Sequence, residues 1–274
     1  MNDLPEVKNS PEINNDNGDD KKSNIKINNI TKKTKKKTAL DDAIMTVIYA
    51  VLLAVIFRSF VLQPFHIPSG SMKDTLLVGD YLFVSKFSYG YSKYSLPFGI
   101  PFFEGRIGDS RPETGDVVVF RPEKTPYTDF IKRVVGLPND TVQMIEGRLY
   151  INNLPVNLER IDDFDDTEAG ETRSVKRYVE TLPNGVKHHV LDVNAIGQYD
   201  NTYPVTIPAG HYFVMGDNRD ESADSRTEVV ELVPEENLIG RAEMVVFSID
   251  DRTDIWKIWN WWWALRLDRL FVKL

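Results

Sequence analysis

The chain has 274 residues, a formal net charge of −8, four histidines and no cysteine. The acidic balance argues against a general nucleic-acid binder, and the absence of cysteine excludes a zinc–thiolate site, a disulfide framework and a thiol nucleophile. No HExxH motif is present, so a zinc protease of that type is not indicated either.

Residues 1–38 are rich in Asn, Asp, Lys and Ser and contain few large apolar side chains. Such a segment buries too little apolar surface to offset the entropy lost on ordering, so we expect a disordered tail. The tail ends in five lysines within residues 32–37, a run that by itself is typical of a solvated segment.

An apolar segment, residues 39–62, follows the lysines. Residues 43–57 are apolar apart from Thr46 and Tyr49, and the segment is long enough to cross a bilayer as a helix if Arg58 reaches the far interface. A buried core helix is the alternative, whereas a cleaved signal peptide fits less well because no small-x-small cleavage site follows. The preceding lysines predict a cytoplasmic N-terminus, with the rest of the chain on the outer side.

Beyond the apolar segment the pattern is mostly that of β-strands. Short β-branched and aromatic runs bounded by turn residues occur at residues 81–85, 116–120 and 244–248. We therefore expect a mainly β fold, with an antiparallel β-sheet core built from residues 63–141 and 209–249.

Residues 142–208 are more polar and acidic than the blocks on either side. Residues 177–181 and 188–192 flank Asn184 and Gly185, a dipeptide that supplies the positive φ angles of a hairpin turn. We interpret this region as an inserted β-ribbon, or hairpin, subdomain.

The C-terminal segment, residues 250–274, contains every tryptophan of the chain: Trp256, Trp259, Trp261, Trp262 and Trp263. One interpretation is a helix packed on the core. The other is an interfacial segment, because tryptophan favours the headgroup level of a membrane. Both interpretations stay open at this point.

Two stretches combine residue types suited to nucleophilic catalysis. Residues 65–77 contain Ser69, Gly70 and Ser71, and a glycine there lets the backbone approach a ligand closely. Residues 129–140 place Lys132 among apolar neighbours, where burial would lower the pKa of the amine and let it accept a serine proton. A Ser-Gly-Ser alone is more often a linker, and a strand lysine more often points to solvent.

A third stretch, residues 215–226, alternates acidic and basic side chains, a pattern common in solvated loops. It lacks the central glycine and the glutamate at position 12 that a calcium loop requires, so no metal site is expected there.

Taken in order behind an apolar segment, these stretches resemble the signature boxes of the bacterial type I signal peptidases. Residues 68–72 with Thr75 and Leu76 resemble the nucleophile box, residues 131–138 the lysine box and residues 216–226 the third box, and residues 233–241 match what usually follows. The resemblance covers about residues 43–250. It implies a membrane-bound serine endopeptidase with a Ser–Lys dyad, which removes signal peptides from secretory precursors after small residues at −1 and −3.

The resemblance also implies a role for each matched residue. Ser71 matches the nucleophile, Lys132 the general base, and Ser69 the hydroxyl that joins the Ser71 backbone N–H in the oxyanion hole. Ser222 matches the residue that orients the lysine amine, and Asp224 and Arg226 match a supporting ion pair. The walls of two shallow substrate pockets are matched by Phe65, Ile67, Leu76, Leu82, Val119, Phe130 and Ile131.

Three positions depart from the family pattern. Asp74 stands where proline is usual, Phe130 replaces a frequent tyrosine, and Asn139 replaces a usual glycine. Asparagine tolerates the left-handed conformation that a turn at Asn139 would require.

The resemblance places the protein in the bacterial plasma (inner) membrane as a single-pass protein with its catalytic part on the outer, periplasmic face. Secretory precursors and membrane lipids are the implied partners, and neither nucleic acid nor any cofactor or metal is implied. A self-cleaving repressor-type Ser–Lys protease would carry a DNA-binding module instead of an anchor. A catalytically silent membrane-tethered scaffold would not be expected to keep Ser69, Ser71, Lys132 and Ser222 together.

Overall fold

The computed structural model describes residues 19–95, 105–108, 110–168, 171–194, 196–250 and 261–274. The chain divides into two compact units, Met1–Ala54 and Val55–Leu274. The described part of the first unit is helical, and the second unit contains all the strands.

A long helix, α1 (Asp19–Phe60), contains the predicted apolar segment, residues 39–62, except for its last two residues, of which Leu62 begins a strand. Its part Leu40–Phe60 has the length and the mean hydropathy, 2.2, of a membrane span, and only 6% of it is buried. A core helix, the alternative interpretation, would have most of this surface covered. The helix begins at Asp19, so residues 19–38 have helical backbone where we expected an irregular tail. Adding residues to an existing helix costs far less than nucleating one, which is the physical reason for the difference.

The described residues of the second unit hold eighteen strands, the end of α1, a short helix, α2 (Trp261–Ala264), and 3₁₀ turns at Phe87–Tyr89, Glu235–Asn237 and Leu267–Arg269. The strands are β1 (Leu62–His66), β2 (Asp80–Ser85), β3 (Tyr91–Ser92), β4 (Arg106–Ile107), β5 (Val117–Phe120), β6 (Phe130–Gly136), β7 (Thr141–Ile145), β8 (Arg148–Ile151), β9 (Leu154–Pro155), β10 (Asn157–Arg160), β11 (Phe164–Glu168), β12 (Glu171–Thr181), β13 (Lys187–Asp192), β14 (Val205–Thr206), β15 (His211–Met215), β16 (Val233–Pro234), β17 (Leu238–Ser248) and β18 (Val272–Lys273).

The main sheet has eight strands in the order β1-β2-β17-β5-β6-β15-β16, with β18 also paired to β17. Its pairings are antiparallel, which confirms the predicted mainly β class. β17 lies between β2 and β5, and the register shifts at several points along it. Such bulges bend and twist a strand, and they let one long strand serve both neighbours.

Both faces of the sheet are covered around β5. Val117 and Val119 pack into one apolar cluster, whereas Val118 and Phe120 pack into another. All four side chains are buried, so the strand is a continuous apolar run rather than an alternating one. Because both faces of the sheet are covered here, most side chains on the neighbouring strand β6 are also buried.

Residues 141–206 form two smaller sheets, β14-β7-β8-β9 and β10-β12-β11 with β13 beside β12. The hairpin expected around Asn184 and Gly185 joins β12 to β13. Only Gly185 of the pair has a positive φ, 87°. Asn184 acts through its side chain instead, donating to the Thr114 carbonyl at 2.6 Å and accepting from the Val186 N–H at 3.2 Å.

The end of the C-terminal segment packs on the main sheet. β18 pairs with β17, Ala264 is buried, and Arg269 forms an ion pair with the buried carboxylate of Asp80 at 2.5 Å. Residues 264–274 therefore contact the main sheet at Ala264, Arg269 and β18, while Leu267 and Phe271 remain exposed. The side chain of Trp263 is 69% exposed, whereas Trp256 and Trp259 lie outside the described residues and only the backbone of Trp261 and Trp262 is described.

Candidate active site

Ser71 and Lys132 come together from elements distant in sequence. Ser71 lies in the loop between β1 and β2, and Lys132 lies in β6, where it pairs with Val118 of β5. Lys132 Nζ donates to Ser71 Oγ at 2.6 Å and to the Ile131 carbonyl at 2.8 Å. Lys132 is 2% exposed and Ser71 8%, so the pair is shielded from bulk water.

Burial lowers the pKa of Lys132 from 10.5 to about 8, and the charges of Asp224 and Asp217 oppose part of this shift. With that pKa, about one lysine in ten is neutral at pH 7, against fewer than about one in a thousand for a solvent-exposed lysine. The amine is thus able to act as a base near neutral pH.

Residues of the third stretch contact the backbone of the loop that contains Ser71. The Asn218 N–H donates to the Ser71 carbonyl and its Nδ2 donates to the Gly70 carbonyl, both at 3.2 Å. Gly216 packs so closely that a Cβ there would lie 2.5 Å from the Ser71 carbonyl oxygen and equally near Ser222 Cβ. Only glycine allows this approach.

Asp224 organises the third stretch. Its buried carboxylate accepts hydrogen bonds from Arg226 Nη2 at 2.8 Å and from the Gly216 N–H at 3.0 Å. Burial opposes ionisation of Asp224, but the Arg226 guanidinium outweighs it and holds the pKa of the carboxyl below its usual value. The carboxylate thereby fixes the turn that presents Gly216 and Asn218 to the serine loop.

Two matched residues make fewer contacts than their expected roles imply. Ser222 is buried, but Lys132 donates to Ser71 and to the Ile131 carbonyl rather than to the Ser222 hydroxyl. Ser69 is exposed. The orienting role of Ser222 and the oxyanion role of Ser69 stay predictions.

Six of the seven expected pocket residues come together. Four of them form one apolar cluster and are 2% exposed or less: Ile67, Leu76, Leu82 and Val119. Two more, Phe65 and Ile131, pack against this cluster and remain partly exposed. Phe130 packs instead against a different cluster, with its ring 6.1 Å from that of Phe120. β17 adds Ile239, Ala242 and Val245 to the first cluster. The first two lie before Met244, where the sequence reasoning started the strand.

A buried ion pair near Ser71 and Lys132 was also missed. Arg133 Nη2 lies 2.7 Å from Asp217 Oδ2, and Thr75 Oγ1 donates to the same oxygen at 2.5 Å. Asp217 follows Gly216 in the third stretch, and Arg133 follows Lys132, so adjacency to the matched residues was the available signal.

Other sequence expectations have a clear structural outcome. Asn139 has a φ of 75°, the left-handed conformation expected for it. His66 is exposed, with its ring 4.8 Å from that of Tyr81.

Comparison with known proteins places this geometry in context. The family model described as "Signal peptidase, peptidase S26" matches residues 40–247. A signal peptidase I of Rickettsia canadensis is 39% identical over 243 residues, covering 82% of this chain and 90% of the relative. That of Rickettsia typhi is 38% identical over 261 residues, covering 88% and 96%. A crystal structure of a signal peptidase I from Enterococcus faecalis aligns with a TM-score of 0.29 at 23% identity, over 49% of this chain and 98% of that one.

Proposed function

This chain belongs to the signal peptidase family, peptidase S26, and we propose that it cleaves signal peptides from secretory precursors with Ser71 as nucleophile and Lys132 as general base. The observation that carries this proposal is the 2.6 Å hydrogen bond between Lys132 Nζ and Ser71 Oγ in a buried setting. The lowered pKa of Lys132 supports it, because a charged lysine cannot accept a proton.

In the first half-reaction the neutral Lys132 amine takes the proton of Ser71 Oγ as that oxygen attacks the carbonyl carbon of residue −1. The carbonyl oxygen becomes an oxyanion. The Ser71 N–H and the Ser69 hydroxyl are the donors proposed to stabilise it, a contribution worth a few kcal/mol in comparable sites. The Lys132 ammonium then gives its proton to the departing amine of residue +1, leaving the signal peptide as an ester on Ser71.

Water completes the reaction. Lys132, neutral again, accepts a proton from a water molecule that attacks the ester carbonyl, and it returns that proton to Ser71 Oγ as the signal peptide leaves as a carboxylic acid. Asn218 and Gly216 are proposed to hold the loop so that Ser71 Oγ stays within reach of the amine in both halves. No proton relay through histidine is needed, because Lys132 contacts the nucleophile directly.

Selection for small residues at −1 and −3 is proposed to follow from the apolar cluster below the loop. Its inner members are almost completely buried, whereas Phe65 and Ile131, among the matched residues, expose surface that a substrate side chain can reach. A shallow apolar surface accepts a methyl group and rejects larger side chains by overlap. Alanine at both positions is the expected preference.

We further propose that Leu40–Phe60 anchors the protein in the bacterial plasma (inner) membrane. The lysines of residues 32–37 favour a cytoplasmic N-terminus, which puts the catalytic unit on the outer face, where exported precursors emerge. Membrane lipids and precursors are therefore the proposed partners.

The test is cleavage of a secretory precursor by the detergent-solubilised full chain. Ser71→Ala should abolish product formation while expression and membrane association stay unchanged. Ser174→Ala removes an exposed hydroxyl of the ribbon and should cleave like the parent. Substantial activity in Ser71→Ala would exclude Ser71 as the nucleophile, and inactivity of the parent chain would favour a silent membrane-tethered scaffold.

A further inference from the structure

A buried ion pair ties the serine loop to the inserted ribbon. Lys73, two residues after Ser71, places its Nζ 2.7 Å from Asp166 Oδ1 on strand β11. The side chains are 8% and 3% exposed, respectively. Burial opposes ionisation of Asp166, but its hydrogen bonds from Lys73 and Arg173 outweigh this and lower the pKa of the carboxyl. Asp166 is therefore a buried carboxylate rather than a neutral acid.

The contacts of Asp166 lead back to the loop by a second route. Arg173 of β12 bonds the other carboxylate oxygen of Asp166 at 2.8 Å and lies 2.7 Å from Glu221. Glu221 accepts from Asn218 Nδ2 at 2.9 Å, and the same amide donates to the Gly70 carbonyl. One continuous set of polar contacts therefore holds the serine loop at Gly70, before Ser71, and at Lys73, after it.

The next residue of the loop is anchored to the same subdomain. Asp74 Oδ2 lies 2.8 Å from His189 Nδ1 on β13 and 3.2 Å from Arg177 Nη1 on β12. Asp74 occupies the position where the family pattern has proline. In this chain, side-chain bonds to the ribbon fix the turn that a proline ring would otherwise stiffen.

Lys73 also lies against the loop backbone. A Cβ added to Gly70 would stand 2.9 Å from Lys73 Cε, so the lysine stem packs directly under the residue that precedes Ser71. Moving this stem would move Gly70, and with it the Ser71 N–H that the proposed oxyanion hole needs.

We propose that Lys73 and Asp166 are positioning residues for Ser71, and that the inserted β-ribbon subdomain acts as a clamp on the nucleophile loop. Neither side chain touches the reacting atoms. Their pairing sets where the loop lies relative to Lys132 of the main sheet. This inference rests on the proposed function, since it assumes that Ser71 is the nucleophile.

The test is a double-mutant cycle on the full chain, with kcat and KM measured for a signal-peptide substrate well below the melting temperature of each variant. Asp166→Asn and Lys73→Met should each lower kcat by about 10- to 100-fold, because displacements of about 1 Å have effects of this size. KM should change by less than about threefold. The double variant should be no worse than Asp166→Asn alone, because Asp166→Asn already removes the ion pair with Lys73 together with the contact to Arg173.

Asp163→Asn is the matched control. It removes an exposed carboxylate from the same subdomain, paired only to Arg160 and Ser174, and should leave kcat unchanged. The double variant also guards against misfolding, because it buries no unpaired charge.

The outcomes separate the two proposals. If Lys73→Met and the double variant keep parental kcat and only Asp166→Asn is impaired, the pair merely neutralises a buried lysine and the clamp is refuted. Equal losses in Asp163→Asn would refute it as well. Activity in Ser71→Ala would refute the proposed function itself, whatever the cycle shows.

Discussion

The depressed pKa of Lys132 makes a quantitative prediction about rate and pH. A shift from 10.5 to about 8 corresponds to a penalty of about 3 kcal/mol on the charged amine in the folded protein. Because only the neutral amine can take the Ser71 proton, kcat/KM should fall tenfold per pH unit below about pH 8 and level off above it. The measurement is kcat/KM from pH 5 to 10 for a peptide with alanine at −1 and −3.

Lys132→Arg is the decisive perturbation. Arginine keeps the positive charge but cannot lose its proton at any of these pH values, so cleavage should be abolished throughout the range. A near-parental rate in Lys132→Arg would show that the lysine acts only as a fixed charge. A profile that stays flat down to pH 6 would contradict the buried-amine explanation.

The same shift predicts how stability depends on pH. Below about pH 8 the lysine is charged in both folded and unfolded states, so the full penalty is present. Between pH 8 and 10.5 the unfolded chain binds more protons, so the folded state gains stability as pH rises. Relative to Lys132→Met, the free energy of unfolding of the parent chain should therefore increase by about 3 kcal/mol across this interval. Urea titrations at several pH values measure this difference, and no change would refute the pKa.

Three further predictions follow from individual contacts. Gly216→Ala should lower kcat by about 100-fold or more, because its Cβ would collide with the Ser71 carbonyl oxygen; single-turnover cleavage near the parental rate would contradict this. Arg269→Met should lower the free energy of unfolding by about 3 kcal/mol, because the buried Asp80 loses its cationic partner. The control Arg160→Met, at an exposed position, should change the free energy of unfolding by less than about 0.5 kcal/mol. Equal effects of the two variants in urea melts would contradict the role of burial. Protease added to spheroplasts should cut beyond residue 62 and spare residues 1–38; the reverse pattern would show the opposite orientation.

Much of the architecture was predictable from local patterns. The strand cores were found because β-branched and aromatic runs end at turn residues, and the long apolar helix was found because its apolar run has the length of a membrane span. The beginning of β17 was missed. Residues 238–243 include Gly240, Arg241 and Glu243, and their place in a strand depends on neighbours from β2 and β5 rather than on local composition.

Candidate site residues were predictable in the three stretches that resemble the signature boxes. They were not predictable where their burial depends on partners distant in the sequence. Ser71 and Lys132 were identified as a pair from their flanking residues. Asp166 was not, because nothing around it in the acidic run of residues 162–166 indicates burial beside Lys73. Phe130 was assigned to the pocket by position. Strand alternation puts it on the other face of β6 from Ile131, with its ring centroid 5.7 Å from Lys132 Nζ, and its pocket role stays a prediction.

The central position of β17 determines the order in which the catalytic unit can assemble. Ser85 of β2 bonds Glu243 of β17, a partner 158 residues further along the chain, and β17 also joins β2 to β5. Contacts between residues so far apart in the sequence are slow to form, because the long intervening loop must close before any of them is gained. A chain still being synthesised lacks this strand, so its sheet is in two pieces. Folding of the sheet, and with it the closure of the apolar cluster that includes β17, therefore waits until the residues of β17 have been made.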